Sequence, residues 1–165
     1  ELEHALEEAL LKGQKALSMA QQTKRGHVYV ISNIGSFGDD VFKIGMTRRL
    51  DPQDRVDELG SASVPFLFDV HAMIFSEDAP AMESMLHQRF NEQRTNLVNK
   101  RKEFFNVKLS DIKDAVFEIA GNDVDFIETA TAQHYYETKA IRKQKADIIS
   151  VVPQEEKLPR FADAI

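Results

Sequence analysis

Leu2, Leu6, Leu10 and Leu17 fall near one face of a helix, and Ala5, Ala9, Leu11, Ala16 and Ala20 broaden that face. Glu and Lys fill much of the remainder, so residues 1–22 are predicted to form an amphipathic helix. Two readings fit it equally: the end of a coiled coil, or a helix packed on its own domain. Gln21 to Gly26 break the pattern. From His27 the period shortens. His27 to Ser32 are β-branched and aromatic and predict a strand, Asn33 to Asp40 predict a loop, and Val41 to Met46 predict a second strand paired with the first as a hairpin. Asp51-Pro52 is a helix start, with Asp as cap and Pro at the first helical position, and Gly60 is the stop.

Pro65 to Phe75 predict a third strand, buried on both faces at its centre. Ser76 to Pro80 cap another helix, whose buried stripe is expected to be Met82, Met85, Leu86 and Phe90. Lys102 to Val107 read as a short extended piece. Ser110 or Asp111 should cap a helix carrying Ile112, Val116, Phe117 and Ile119. A last helix is expected over 125–146, with Ile127, Ala130, His134 and Ile141 on one side, followed by an extended tail after Ser150. The expected fold class is α/β, in the α+β sense: a small, mainly antiparallel three-stranded sheet flanked by helices, with N- and C-terminal helical extensions. The expected parts are 1–25, 26–110 and 111–165.

Composition adjusts this picture in a few places. The net charge of −6 argues against bulk coating of nucleic acid. The acid is uneven: residues 111–165 hold 7 Lys+Arg against 11 Asp+Glu, which is −4 of the −6. Basic residues cluster at Lys43, Arg48, Arg49 and Arg55, and again at Arg94, Lys100, Arg101 and Lys102. With no cysteine, disulfides, thiolate zinc sites and catalytic thiols are excluded. No run approaches the roughly 18 apolar residues that span a bilayer. The chain opens on Glu1 without signal-peptide character, which reads as a piece of a longer protein. A cytoplasmic fragment is expected, with membrane attachment arising only from sequence upstream.

The segment His27-Val28-Tyr29-Val30-Ile31-Ser32-Asn33, then Lys43-Ile44-Gly45-Met46-Thr47, then Arg55, resembles the GIY-YIG nuclease superfamily. The similar branch is the one named after a phage T5 reading frame and a yeast meiotic gene. Asp51-Pro52, Ala62 to Phe66, Ser76 to Ala79, Glu83 with His87, and Arg101 to Phe105 support it. The second motif carries Lys43 where the superfamily name has tyrosine, a replacement that looks typical of this branch. The resemblance implies a DNA endonuclease that uses one Mg2+ or Mn2+ ion and leaves a 5′-phosphate and a 3′-hydroxyl. It also implies an upstream coiled coil, and a setting in phage defence or mobile-element biology.

Phosphodiester hydrolysis needs an activated water, neutralisation of the pentacovalent phosphate and help for the leaving oxygen. Tyr29 is the candidate general base. A phenol titrates near 10, and Lys43 on the neighbouring strand is the cation expected to lower it. Arg55 would hold the scissile phosphate through its planar fork. Glu83 would bind the metal, and His87, four residues on, would orient water or bind phosphate. Asn96 and Glu103 are expected to brace the site from behind. Arg48, Arg49, Lys100, Arg101 and Lys102 are candidate DNA-backbone contacts. Glu83 and His87 have the spacing of a zinc pair, but the sequence shows no third ligand at a convincing spacing, so a zinc site is not expected.

Taken singly, Tyr29 reads as a packed aromatic, Arg55 as the partner of Asp51, and Glu83 as solvated. His27, His71 and His134 read as structural, and His4 as lying on a solvated helix face. DNA is the expected partner, no small-molecule cofactor is expected, and the N-terminal helix is the expected route to a homo-oligomer. The alternative function is a non-catalytic DNA- or protein-binding module of the same fold. A purely structural helical assembly piece is the third reading.

Overall fold

The structure is a computed structural model, and it describes residues 1–151, apart from the side chains of Ala20 and Gln21. The expected tail lies, from residue 152 on, outside the described residues. Helix α1 runs Leu2–Lys24 and strand β1 follows at Gly26–Ser32. The short helix α2, Ile34–Phe37, forms within the expected loop, because the Asn33 side chain accepts the Ser36 N–H and starts a turn. Strand β2 is Val41–Thr47, helix α3 is Pro52–Ser61, strand β3 is Asp69–Ser76 and helix α4 is Ala79–Arg89. Strand β4 is Phe104–Asn106, helix α5 is Leu109–Ala120 and helix α6 is Gln133–Val151. Among the described residues no helix is long and apolar enough to cross a membrane.

The sheet has four strands rather than the expected three, all antiparallel, in the order β3-β1-β2-β4. The extra strand comes from the extended piece at 102–107, which pairs with the outer edge of β2. Alternation then sorts the side chains. Val28, Val30, Phe42, Ile44, Ala72 and Ile74 belong to the larger core, with Met82, Leu86 and Phe90 from α4 and its end, Phe105, and Ile112 and Val116 from α5. Tyr29 and Ile31 point to the other face and pack with Val56 of α3. Burial of each large side chain contributes about 1.5–3 kcal/mol, so both layers hold the sheet between helices.

Several local expectations change. β3 begins at Asp69, not Pro65, because the preceding stretch is tied elsewhere: Asn33 Nδ2 donates to the Phe66 carbonyl at 2.6 Å. Met85 is exposed, since it lies off the Met82–Leu86–Phe90 stripe. Helix α5 starts at Leu109, ahead of the expected Ser110 or Asp111 cap; Lys108 holds the cap position without a side-chain bond, which leaves Asp111 in the first turn. The expected helix over 125–146 begins only at Gln133. The residues before it spend their backbone on β3: Ile127 N–H donates to the His71 carbonyl at 2.8 Å, and Ala132 N–H to Asp69 Oδ2 at 3.0 Å. His71 is buried there. Its Nδ1–H donates to the Ile127 carbonyl at 2.6 Å, so Nε2 accepts from Ser32 Oγ at 2.7 Å.

The chain divides into two units after Ala132. Within the second, Lys139 lies over the rings of Tyr135 and Tyr136.

Candidate functional site

β4 covers β2 only from Val41 to Lys43, so the backbone beyond is open at its outer edge. Ile44 shows how that edge is used. Its N–H donates to the Glu103 carbonyl at 3.2 Å, and its carbonyl accepts from His87 Nε2 at 2.6 Å. The candidate site gathers around this notch.

Tyr29 reaches it across β2. It pairs with Gly45, and a Cβ placed on Gly45 would stand 2.6 Å from the phenol oxygen and 2.7 Å from Cζ. The ring therefore lies over the glycine, and a side chain at 45 would exclude it. Tyr29 is 2% exposed. Burial first, and then the Glu103 carboxylate, push its pKa up to about 12, while the Arg55 guanidinium pulls it down and Glu83 adds a smaller upward push.

Arg55 is placed by α3, whose start is fixed by Asp51 Oδ1 accepting the Gln53 N–H. Asp51 is thus a cap and not the partner of Arg55. That partner is Glu58, whose Oε2 accepts from Arg55 Nη1 at 2.9 Å and from Arg49 Nη2 at 2.7 Å. Arg55 titrates above its usual range, chiefly through the Glu58 hydrogen bond, and the neighbouring phenol pushes the same way. The cation beside the phenol is therefore Arg55. Lys43, expected in that role, donates instead to Glu103 Oε2 at 3.1 Å and sits over the Phe104 ring.

α4, capped by Asp78, carries Glu83 and His87 on one face. The carbonyl of Ile44 can only accept, so His87 Nε2 holds the proton. Burial keeps the ring's pKa low, and the neutral ring turns the Nδ1 lone pair to Glu83 Oε1, 3.8 Å away. Glu83 Oε2 is enclosed and has no hydrogen-bond partner. Burial, and then the facing Glu103 carboxylate, push the Glu83 pKa up to about 7, and Lys43 opposes them. Ligand atoms of Glu83, His87 and Glu103 lie within 4.8 Å of one another. An orphaned carboxylate oxygen, a second carboxylate and an oriented imidazole lone pair fit a divalent cation. Glu83 and His87 thus do gain a third donor, in Glu103, which the sequence placed only behind the site.

A cavity of about 390 Å³ opens here, lined by Glu83, His87 and Glu103 together with Arg94, Lys100 and Arg101. Lys102 and Arg48 make no ion pair among the described residues, whereas Arg49 is held by Glu58. Asn96 does not line the cavity; its Oδ1 accepts the N–H groups of Val98 and Asn99 and shapes a turn. Sequence reasoning gave no role to Gly45, Glu58 or Arg94. A glycine inside a strand was the one available signal, since it marks close approach of another group.

A basic-rimmed cavity over two carboxylates and an imidazole, with the Tyr29 phenol within electrostatic reach of both carboxylates, is an arrangement compatible with a nuclease-like or DNA-binding module. Residues 26–120 match the T5orf172 domain, and the chain belongs to that family, which is associated with GIY-YIG-like nucleases. No curated protein and no solved structure matches the chain.

Proposed function

We propose that this domain is a metal-dependent endonuclease that hydrolyses DNA phosphodiester bonds. The observation that carries the reading is the gathering of Tyr29, Arg55, Glu83, His87 and Glu103 around the open edge of β2. Arg55 keeps donors beyond its Glu58 bond and holds the scissile phosphate next to Tyr29. Tyr29 accepts the proton of the attacking water. Glu83, Glu103 and His87 hold a single Mg2+ or Mn2+, which when bound supplies positive charge for the leaving 3′ oxygen. Lys43 fixes the Glu103 carboxylate and positions it. Lys100 and Arg101, with Lys102 and Arg48, contact the DNA backbone. By family resemblance the setting is phage defence or mobile-element biology.

A phenol near 12 is almost wholly protonated at neutral pH, so cleavage should rise with pH through the neutral range. The test is nicking of supercoiled plasmid with and without Mg2+, in wild type, Y29F and E83Q. Wild type should nick only with the metal, and each substitution should lower the rate at least about 100-fold. Full activity in E83Q overturns the metal assignment. The same Tyr29 pKa, with Lys43 held by Glu103, favours the second reading of a module that binds DNA without cutting. DNA binding with no metal-dependent nick in that assay would select it.

A further inference from the structure

We propose that the loop from Arg94 to Lys102 is a wedge for duplex DNA: Leu97 and Val98 enter a groove beside the bond that is cut, while Lys100, Arg101 and Lys102 hold the flanking phosphates. This rests on the nuclease reading above and names how the substrate is engaged.

The loop is pinned at its base and built at its tip. Arg94 bridges to Phe105, and Thr95 N–H donates to the Phe104 carbonyl at 3.0 Å. Arg94 Nη1 donates to the Lys100 carbonyl at 3.1 Å, and its guanidinium stands 5.0 Å from the Phe105 ring centre. Asn96 Oδ1 accepts from Val98 N–H at 3.0 Å and Asn99 N–H at 2.9 Å, and Asn99 Oδ1 accepts from Arg101 N–H at 3.0 Å. This ordered tip presents Leu97, 69% exposed, and Val98, 97% exposed. Neither residue belongs to a core cluster, so the turn itself gives no reason for two adjacent apolar side chains.

The cations beside them narrow the occupant. Lys100, Arg101 and Lys102 make no ion pair among the described residues, whereas Arg49, Arg55 and Arg89 are each held by a glutamate. Lys100 and Arg101 also line the cavity that contains Glu83, His87 and Glu103. The occupant must be anionic, offer an apolar slot to a short wedge, and set its charged groups against the Lys100 and Arg101 rim of that cavity. Duplex DNA does all three, with phosphates on each side of stacked bases that an inserted apolar side chain can part. A lipid surface also offers anionic groups and an apolar interior, and the vesicle arm of the test separates it from DNA.

The test uses the full chain without divalent ions and a labelled duplex carrying 2-aminopurine, read by anisotropy and by base fluorescence. Wild type should bind and brighten the probe. L97N/V98N should bind about tenfold more weakly and leave the probe dark, with the salt dependence unchanged. K100Q/R101Q/K102Q should reduce the salt slope by about 3. The wedge is overturned if L97N/V98N binds and brightens the probe as wild type does. It is equally overturned if those substitutions alter only sedimentation of the protein alone or binding to anionic vesicles. A wild type that binds no duplex removes the wedge, and it removes the nuclease reading too if plasmid is not nicked with Mg2+. Metal-dependent nicking by wild type, with L97N/V98N binding and brightening the probe equally well, removes the wedge alone.

Discussion

Glu83 Oε2 is enclosed without a donor, and Glu103 sets a second carboxylate near it. The folded-state pKa of about 7 lies above the ordinary 4.5, so the folded chain binds the extra proton between those values. Stability therefore falls as pH rises through that window, and the loss is complete above it. Without divalent ions, wild type should lose on the order of 1–3 kcal/mol from this group between pH 4 and pH 8, and E83Q should not. Denaturant unfolding at both pH values measures the difference; parallel profiles would mean that the carboxylates do not strain each other. Tyr29, Arg55 and Glu83 were legible as candidates through their order along the chain. The role of Glu103 was not, because β4 brings it to Glu83 by pairing with β2.

Cross-strand pairing decides what an element presents. Gly45 looked like part of a motif, but its use is visible only opposite Tyr29, whose ring occupies the place of a side chain. The Cβ of G45A would meet a phenol that is buried and has little room to move. We expect G45A to destabilise the domain by about 1–3 kcal/mol and to remove plasmid nicking, checked by thermal unfolding and the nicking assay. A folded G45A with wild-type cleavage would show that the position of the phenol is unimportant. Patterning located β1, β2, α3 and α4, whose caps and periods are local. It misplaced the start of β3 and the final helix, because Asn33, His71 and Asp69 claim backbone groups of segments far along the chain.

For the whole molecule, α1 poses the open question. Its Leu2, Leu6, Leu10, Leu11 and Leu17 are all exposed, so the helix does not bury this stripe on its own domain. An uncovered apolar stripe of that length favours self-association. Wild type should sediment as an oligomer and L6E/L10E as a folded monomer. Identical sedimentation of the two would dismiss α1 as an oligomerisation helix.

The sequence by itself determined the α+β class, the hairpin, the two capped helices beside it and the order of the chemical residues, since periodicity and capping act over a few neighbours. Only the tertiary structure decided that Lys43 serves Glu103 rather than the phenol, that Arg55 is the cation beside Tyr29, and that a second carboxylate stands beside Glu83 and His87. Those choices depend on which side chains share a sheet edge. That is fixed by the fourth strand ending at Lys43, a long-range pairing with no local signal.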